Sequence, residues 1–491
     1  MKILYICHRI PYPPDKGDKI RSFNEIKYLS TRHEIHVACL ADDPKDLKYK
    51  EDLIKYCKTV TVFRNDPRLA RIKSLSSLLS QKPLSLPYFY STGLQKAVDH
   101  LLSTNNFDSI FCFSSPMAEY VFRSKWFVSN CSKLHIDRDQ ETRNKHPEAG
   151  NQNSATGNEQ PATSNRQRAT GLIMDFVDVD SDKWSQYARY SGFPKSWIYE
   201  MESKRLRKYE RRVAEAFDHS IFVTEAEVKM FKEENPHIKS ITAITNGVDL
   251  DFFSPQHRNL ELDKSHNSVD RQSSASQIQP VATGSRYRET SIEKPVILFT
   301  GAMDYYANVD GVLWFVRDIL PLIQKEIACA KFFIVGSNPA KEIRALHHRN
   351  GITVTGYVVD IRSYYEMADV GIIPLRLARG IQNKVLEAMA MALPVVATSP
   401  AFEGIHAETH KDLLVEDEPI AFSRAVLKIL QTPSFQIALG SHARKCIEDH
   451  YSWRTNLSKL EVLIQGLMTN GRGGSDHPQN LSSYRPGPMN P

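Results

Sequence analysis

Lys384 and Glu387, about one helical turn apart in the stretch GIQNKVLEAMAMALPVVAT (380–398), are the residues whose types and spacing best suit chemistry. The stretch opens on Gly380, passes Gln382 and Asn383, follows a helical pattern over 385–392, and breaks at Leu393-Pro394 into the β-branched run Val395-Val396-Ala397-Thr398. Loop, helix and strand follow in that order. A helix start offers unpaired N–H groups and the positive end of the helix dipole, and Lys384 adds a full charge, so an anion such as a diphosphate suits the site. Glu387 then stands where a carboxylate accepts hydrogen bonds from the vicinal hydroxyls of a sugar. The same letters also describe an ordinary amphipathic helix with a solvated lysine and glutamate, and the stretch alone leaves both readings open.

Positioning such a helix takes a parallel sheet, and the chain is patterned for two. A β-type run at 2–7, a proline-rich loop PYPPDKGDKIR with Gly17, a helical pattern over 21–30 and a second strand at 34–40 form the opening of a doubly wound α/β domain, which binds ligands at the carboxyl ends of its strands. Strands are also predicted at 59–63, 109–113, 220–223 and 241–244. A second series, 295–301, 331–335, 352–355 and 370–373, ends each time at Gly or Pro and describes a second parallel sheet. Residues 133–169 and 256–294 are rich in Ser, Gln, Asn and Arg and are read as a disordered insert and a polar linker insert; the Gly/Pro/Asn-rich stretch 469–491 is read as a disordered tail. The organisation expected is an N-terminal domain over 1–255, a C-terminal domain over 295–452, and a final helix over 453–468 that crosses back to the first domain.

Composition narrows the class. A chain of 491 residues, 41% hydrophobic and 24% charged, accommodates two globular domains, and its net charge of +6 is modest. The basic run KRLRKYERR (204–212) suits an anionic membrane surface, but Glu202 and Glu210 lace it, and a solvated helix face is the preferred reading. Seven cysteines, at 7, 39, 57, 112, 131, 329 and 446, show no CxxC pair and read as buried thiols of a reducing compartment, with no zinc site. Four acids over 175–182 lack the glycine and terminal glutamate of a calcium loop. The apolar part of MKILYICHRI is short for a signal peptide, and no stretch approaches the roughly 18 apolar residues that span a bilayer. The expectation is a cytoplasmic protein, soluble or peripheral on the cytoplasmic face of an inner membrane. Nucleic acid is not an expected partner, since no helix-turn-helix or zinc pattern is present.

Three phrases in succession carry a resemblance: NGVD (246–249) with Phe252, Phe253 and Pro255; the loop from Gly301 through Met303, Tyr305 and Asn308; and KVLEAMA (384–390) followed by Pro394-Val395-Val396. Together they resemble the GT4-type, GT-B-fold retaining glycosyltransferases, and DFVDVDSDKW (175–184) resembles the bacterial subgroup associated with exopolysaccharide and exosortase (PEP-CTERM) clusters. The resemblance runs over most of the chain outside the polar inserts and the tail. It implies an α/β GT-B architecture, with two Rossmann-like doubly wound parallel-sheet domains facing a cleft, and makes NGVD the hinge, although Asn246-Gly247 alone also reads as a tight turn with positive φ. Of the family's pair of glutamates, the second matches Glu387 while the first would fall on Arg379, and the usual second glycine of the N-terminal loop is Asp18.

On that resemblance Lys384, Glu387, Gly17, Gly301 and Arg376 bind the donor and its phosphates, Gly356, Tyr357 and Val358 form the nucleobase edge, and Asp178 and Asp180, with Glu387, are the catalytic candidates. Helix capping by Asp180 or Ser181 competes with the catalytic role. Lys19 and Arg21 are candidates for an anionic acceptor or phosphate, against a solvated helix start, and His8 is read as structural. The implied reaction moves a sugar from a nucleoside-diphosphate sugar to a carbohydrate or lipid-linked acceptor, with retention, no cofactor and no required metal. Two rivals share the fold: a sugar-nucleotide 2-epimerase and a non-catalytic nucleotide-sugar-binding protein.

Overall fold

The computed structural model describes residues 1–130, 170–255, 294–378 and 380–470. The expectations attached to 133–169, 256–293, 471–491 and Arg379 therefore lie outside the described residues. The chain divides into two units, one of residues 1–245 with those from 454 onward, the other of residues 246–453.

In the first unit the apolar runs form β1 (Lys2–Cys7), β2 (Glu34–Ala41), β3 (Thr59–Arg64), β4 (Ser109–Phe113), β5 (Gly171–Val177), β6 (His219–Phe222) and β7 (Ile241–Ala243). They pair in parallel in the order β3-β2-β1-β4-β5-β6-β7. β1 and β4 are apolar nearly throughout rather than alternating, because helices cover both faces of such a sheet. α1 (Gly17–Leu29) follows β1, α2 (Pro67–Leu75) follows β3, and α3 (Asp180–Arg189) pairs with α4 (Lys195–Ala216) as a helical hairpin after β5. From β1 the chain winds outward to β2 and β3, and from β4 it winds the other way. The switch point falls between the carboxyl ends of β1 and β4.

A buried ionic group ties these elements together. Arg21 donates from Nε to Asp175 Oδ2 at 2.8 Å and from Nη1 to the carbonyl of Ile244 at 2.8 Å, and lies 3.1 Å from Glu25. Tyr5 donates its hydroxyl to Glu25 Oε2 at 2.6 Å. Burial, with Asp175 beside it, pushes the Glu25 carboxyl well above its ordinary range although Arg21 opposes this. Lys19 is likewise buried and reaches Asp46 at 2.8 Å and Asp15 at 3.5 Å. Lys19 and Arg21 are therefore committed to carboxylates rather than offered to an anion. Helix α1 begins at Gly17, not at Arg21, and buries both cations, where a desolvated charge must be paired.

The basic run 204–212 is engaged as well. Lys204, Arg207 and Arg211 face Glu200, Glu234 and Glu215 at 3.2, 3.0 and 3.8 Å, and Arg205 donates to the carbonyls of Ser77 and Lys82 at 2.7 and 3.2 Å. Acids do lace this helix face, but they are Glu200, Glu234 and Glu215; the expected Glu202 and Glu210 are buried and accept instead from the N–H groups of Leu84, Ser85 and Ser181. α9 (Trp453–Asn470; α5 to α8 belong to the second unit) places Glu461 Oε2 2.8 Å from His33 Nε2, and its helix extends through Thr469 and Asn470, two residues into the expected tail.

The second unit contains β8 (Val296–Thr300), β9 (Lys331–Val335), β10 (Ile352–Gly356), β11 (Val370–Ile373), β12 (Val395–Ala397) and β13 (Leu414–Val415), parallel in the order β10-β9-β8-β11-β12-β13. Its switch point lies between β8 and β11. α5 (Tyr306–Trp314) follows β8, α6 (Arg362–Met367) precedes β11, α7 (Asn383–Ala390) joins β11 to β12, and α8 (Pro433–His450) packs on α7. The loop–helix–strand order over 380–398 is thus present. Gly380 has φ +64°, a left-handed conformation natural to glycine. After α7 the Ala392 and Leu393 N–H groups return to the carbonyls of Met389 and Ala388 at 2.9 and 3.0 Å, a Schellman-type stop.

Gly247 departs from its expectation. Neither Asn246 nor Gly247 has positive φ, and a Cβ at Gly247 would lie 2.5 Å from the Trp453 backbone nitrogen, so close approach rather than turn geometry requires the glycine.

Replacing Arg21 by Met leaves Asp175 and Glu25 buried without their cation. Denaturant unfolding should show a loss of about 3–5 kcal/mol.

Candidate functional site

The loops after β8 and β11 flank the switch point of the second sheet, and each contributes to one cluster. Lys384, in the first turn of α7, donates from Nζ to Asn308 Oδ1 at 2.8 Å; Asn308 in turn donates from Nδ2 to the carbonyl of Ala302 at 2.8 Å. Gly301 has φ +153°, and a Cβ there would stand 2.8 Å from Asn308 Nδ2 and 3.4 Å from Lys384 Cε. The glycine makes room for the lysine–asparagine bond. On the other side Thr300 Oγ1 and the Tyr365 hydroxyl are 3.0 Å apart, and Tyr365 donates to Glu387 Oε2 at 3.0 Å. Lys384 Nζ also stands 5.6 Å from the centroid of the Phe299 ring. A cavity of about 10 Å³, no more than one water in size, lies against Thr300, Tyr365 and Lys384.

Both charged groups are half-buried, and both shift toward neutrality. Burial lowers Lys384 to about 8, with Glu387 partly opposing it. Burial raises Glu387 to about 7, with the Tyr365 hydrogen bond and Lys384 pulling the other way. Near neutral pH, Glu387 is divided between a form that only accepts hydrogen bonds and one that also donates. No side-chain hydrogen bond caps α7 at Gln382, and Asn246, the first residue of the unit, donates to Asn383 Oδ1 at 3.1 Å.

The remaining candidates of this unit lie along the carboxyl edge of the sheet. Gly336 ends β9 against Gly301, where a Cβ would fall 1.7 Å from the Gly301 carbonyl oxygen, and its N–H donates to the Gly356 carbonyl at 3.2 Å. Gly356 has φ +72°, open space lies where its Cβ would be, and Tyr357 beside it is 71% exposed. Val358 is half-buried. Arg376, after β11, is held by Asp310 of α5 through two hydrogen bonds, one of them at 2.9 Å, while part of its guanidinium stays exposed. Gly301, Lys384 and Glu387 share one cluster; Asn246 of NGVD, with Tyr365 and Thr300, which no phrase of the sequence marks, completes it.

In the first unit the ends of β1, β4 and β5 stand side by side. His8 follows β1, and its Nε2 is 3.0 Å from Asp18 Oδ2; its Nδ1 is buried and has no hydrogen-bond partner among the described residues. Arg9 donates to Asp18 at 2.6 Å and to Asp42 at 3.0 Å. Burial alone would raise the Asp18 carboxyl, but His8 and Arg9 hold it far below its usual range. Ser114 after β4 and Val177 at the end of β5 have φ of +76° and +69°, strained values for non-glycine residues, held by the carbonyl and carboxylate of Asp175 at 2.7 and 2.8 Å.

Asp178 follows Val177, and burial raises its carboxyl while Lys183 opposes and Asp180 adds to the rise. Asp180 is the first residue of α3, 3.7 Å from Lys183. Neither Asp180 nor Ser181 caps that helix; the Ser181 N–H instead donates to Glu210 Oε1 of α4 at 3.0 Å. Gly17 is exposed and is the first residue of α1.

With this geometry in view, known proteins can be compared. Residues 294–432 match the family described as "Glycosyl transferases group 1". A Klebsiella pneumoniae protein described as an uncharacterized 44.6 kDa protein in the cps region is 22% identical over 189 residues, which cover 37% of this chain and 49% of that protein. The chain thus matches about half the length of that curated relative. Among solved structures, the sucrose-phosphate synthase of Thermosynechococcus elongatus aligns with TM-score 0.59 at 14% identity, covering 96% of this chain and all of that one. Anabaena HepE, solved in complex with UDP-glucose, aligns with TM-score 0.58 at 13% identity over 95% of this chain and 100% of that chain. A Rickettsia africae glycosyltransferase aligns with TM-score 0.55 at 14% identity over 96% and 99%. The fold is therefore of the GT-B class, built from two parallel-sheet α/β units. Its second unit carries the group 1 glycosyltransferase match.

The Tyr365 hydroxyl is one of two influences that restrain the rise at Glu387. Carboxyl ¹³C NMR titration should place Glu387 at about 7 in the wild type and higher in Tyr365→Phe.

Proposed function

We propose that this protein is a glycosyltransferase that moves a sugar from a nucleoside-diphosphate sugar to an acceptor hydroxyl with retention, in the synthesis of an extracellular polysaccharide. The observation that carries the reading is Lys384, set in the first turn of α7 beside the glycine-lined ends of β8 and β9. There an ammonium, a helix dipole and main-chain N–H groups act on one anion. The match of this segment to group 1 glycosyltransferases, and the complex of Anabaena HepE with UDP-glucose, support a sugar-nucleotide donor. The cps-region relative supports a polysaccharide product, and a carbohydrate or lipid-linked acceptor follows from that.

In this reading the leaving diphosphate carries most of the charge that develops, and Lys384 and the α7 N–H groups stabilise it. Arg376 is a second cation on the same strand edge once Asp310 shares it. Glu387 binds sugar or ribose hydroxyls, in which a carboxyl that can both donate and accept is an advantage. Gly301 keeps the approach to Lys384 open, and Gly356 to Val358 offer backbone groups to the base. In the first unit Asp178 and Asp180 are the groups proposed to orient or polarise the acceptor hydroxyl. These cationic groups neutralise the phosphates without calling for a metal.

Incubation of sugar nucleotides with bacterial lipid-linked acceptors tests the activity: a glycosylated acceptor is expected, and a released or isomerised sugar without one would overturn transfer. The site also has a pH signature. Binding a diphosphate favours charged Lys384 and so takes up a proton wherever the free lysine is neutral. UDP affinity should fall as pH rises through about 8, where the free lysine loses its proton. In Lys384→Ala that fall should be absent from calorimetric titrations.

A further inference from the structure

Lys204, Arg205, Arg207 and Arg211 of the basic run are engaged within the protein, but two other parts of the first unit carry cations and large apolar side chains together on the surface. On α2, Leu69, Ile72 and Leu75 are 58%, 65% and 59% exposed. At a helical pitch these positions share one face, and Arg68, Arg71 and Lys73, all exposed, fall within or along it. The helix carries no acid; the buried Ala70 lies on the opposite side. At the tip of the α3–α4 hairpin, Tyr190, Phe193 and Trp197 are 61%, 87% and 58% exposed, flanked by exposed Arg189 and Lys195. The two parts are tied through α4: Glu202 accepts from the N–H groups of Leu84 and Ser85 at 2.6 and 3.0 Å, and Arg205 donates to the carbonyl of Ser77, just beyond α2.

We infer that α2 and the α3–α4 tip form a docking surface for an anionic phospholipid bilayer. Aliphatic side chains rimmed by arginine and lysine suit the boundary between headgroups and acyl chains, where the cations meet lipid phosphates. Aromatic rings with adjacent cations are the side chains that settle at that depth. A protein partner would instead need acidic groups spaced to match these cations, whereas a fluid anionic surface supplies its charge at any spacing. No helix among the described residues is long and apolar enough to cross a membrane, so the contact inferred is one of surface attachment. This inference stands apart from the transferase reading, since vesicle binding needs neither donor nor turnover.

The test is co-sedimentation of the full chain with vesicles of phosphatidylcholine alone and of phosphatidylcholine mixed with phosphatidylglycerol. Binding is expected only to the anionic vesicles, weakening as salt is raised. Leu69→Ser with Ile72→Ser, and separately Phe193→Ser with Trp197→Ser, should each reduce partitioning by about tenfold or more, on the scale of apolar side chains removed from a lipid interface. All four positions are exposed, so thermal melting should be unchanged and serves as the control for folding. The inference is overturned if the wild type binds neither vesicle, if both folded double variants bind as the wild type does, or if the serines abolish self-association instead of vesicle binding.

Discussion

The cluster at the switch point of the second unit is arranged around two half-buried opposite charges, Lys384 and Glu387, at the start of one short helix. Removing either charge from water is costly, and each moves toward neutrality, to about 8 for the lysine and about 7 for the glutamate. Neighbouring groups limit that cost without removing it. Asn308 and Tyr365 each supply one hydrogen bond, and Gly301 supplies the space for the first. A site with its own charges fully neutralised would have little left for an anion. Here a half-buried cation retains only one close oxygen within 3 Å among its described contacts, which in the proposed reading leaves it able to take a diphosphate.

The first unit handles its charges differently. Arg21 and Lys19 are held by carboxylates; Arg21, through Asp175, Glu25 and Tyr5, ties α1 to β5 and β1, while Lys19 ties α1 to Asp46 in the segment after β2. The strained Ser114 and Val177 hang from the same Asp175 that receives Arg21. The ion pair thereby sets the backbone at the carboxyl ends of β4 and β5, beside His8 and Asp178. Strain held at strand ends that flank a switch point is a physical sign of a ligand site, whichever acceptor it takes.

Much of this was legible in the letters, and the failures have a common cause. Strands such as 2–7, 109–113 and 331–335 were plain because a parallel strand buried on both faces reads as a continuous apolar run. The clustering of Gly301, Lys384 and Glu387 could be anticipated because glycine at a strand end and lysine at a helix start act locally. What the letters could not tell was where a charge finds its partner. Arg21 and Asp175 are 154 positions apart, so an arginine committed to the core looked like one available to phosphate. Tyr365 meets Glu387 across 22 positions with no motif to announce it. Asn246-Gly247 looked like a tight turn, whereas the glycine is dictated by Trp453, far along the chain.

The most direct measurement is calorimetric titration of UDP and GDP into the wild-type protein, Lys384→Ala and Glu387→Ala, each checked for folding by circular dichroism. The account predicts that one nucleotide binds the wild type, that Lys384→Ala weakens it by about tenfold to a hundredfold, the scale of one charge-assisted hydrogen bond, and that Glu387→Ala weakens it as well. Binding of neither nucleotide, or equal binding by all three proteins, would contradict it and leave the start of α7 as a structural helix end.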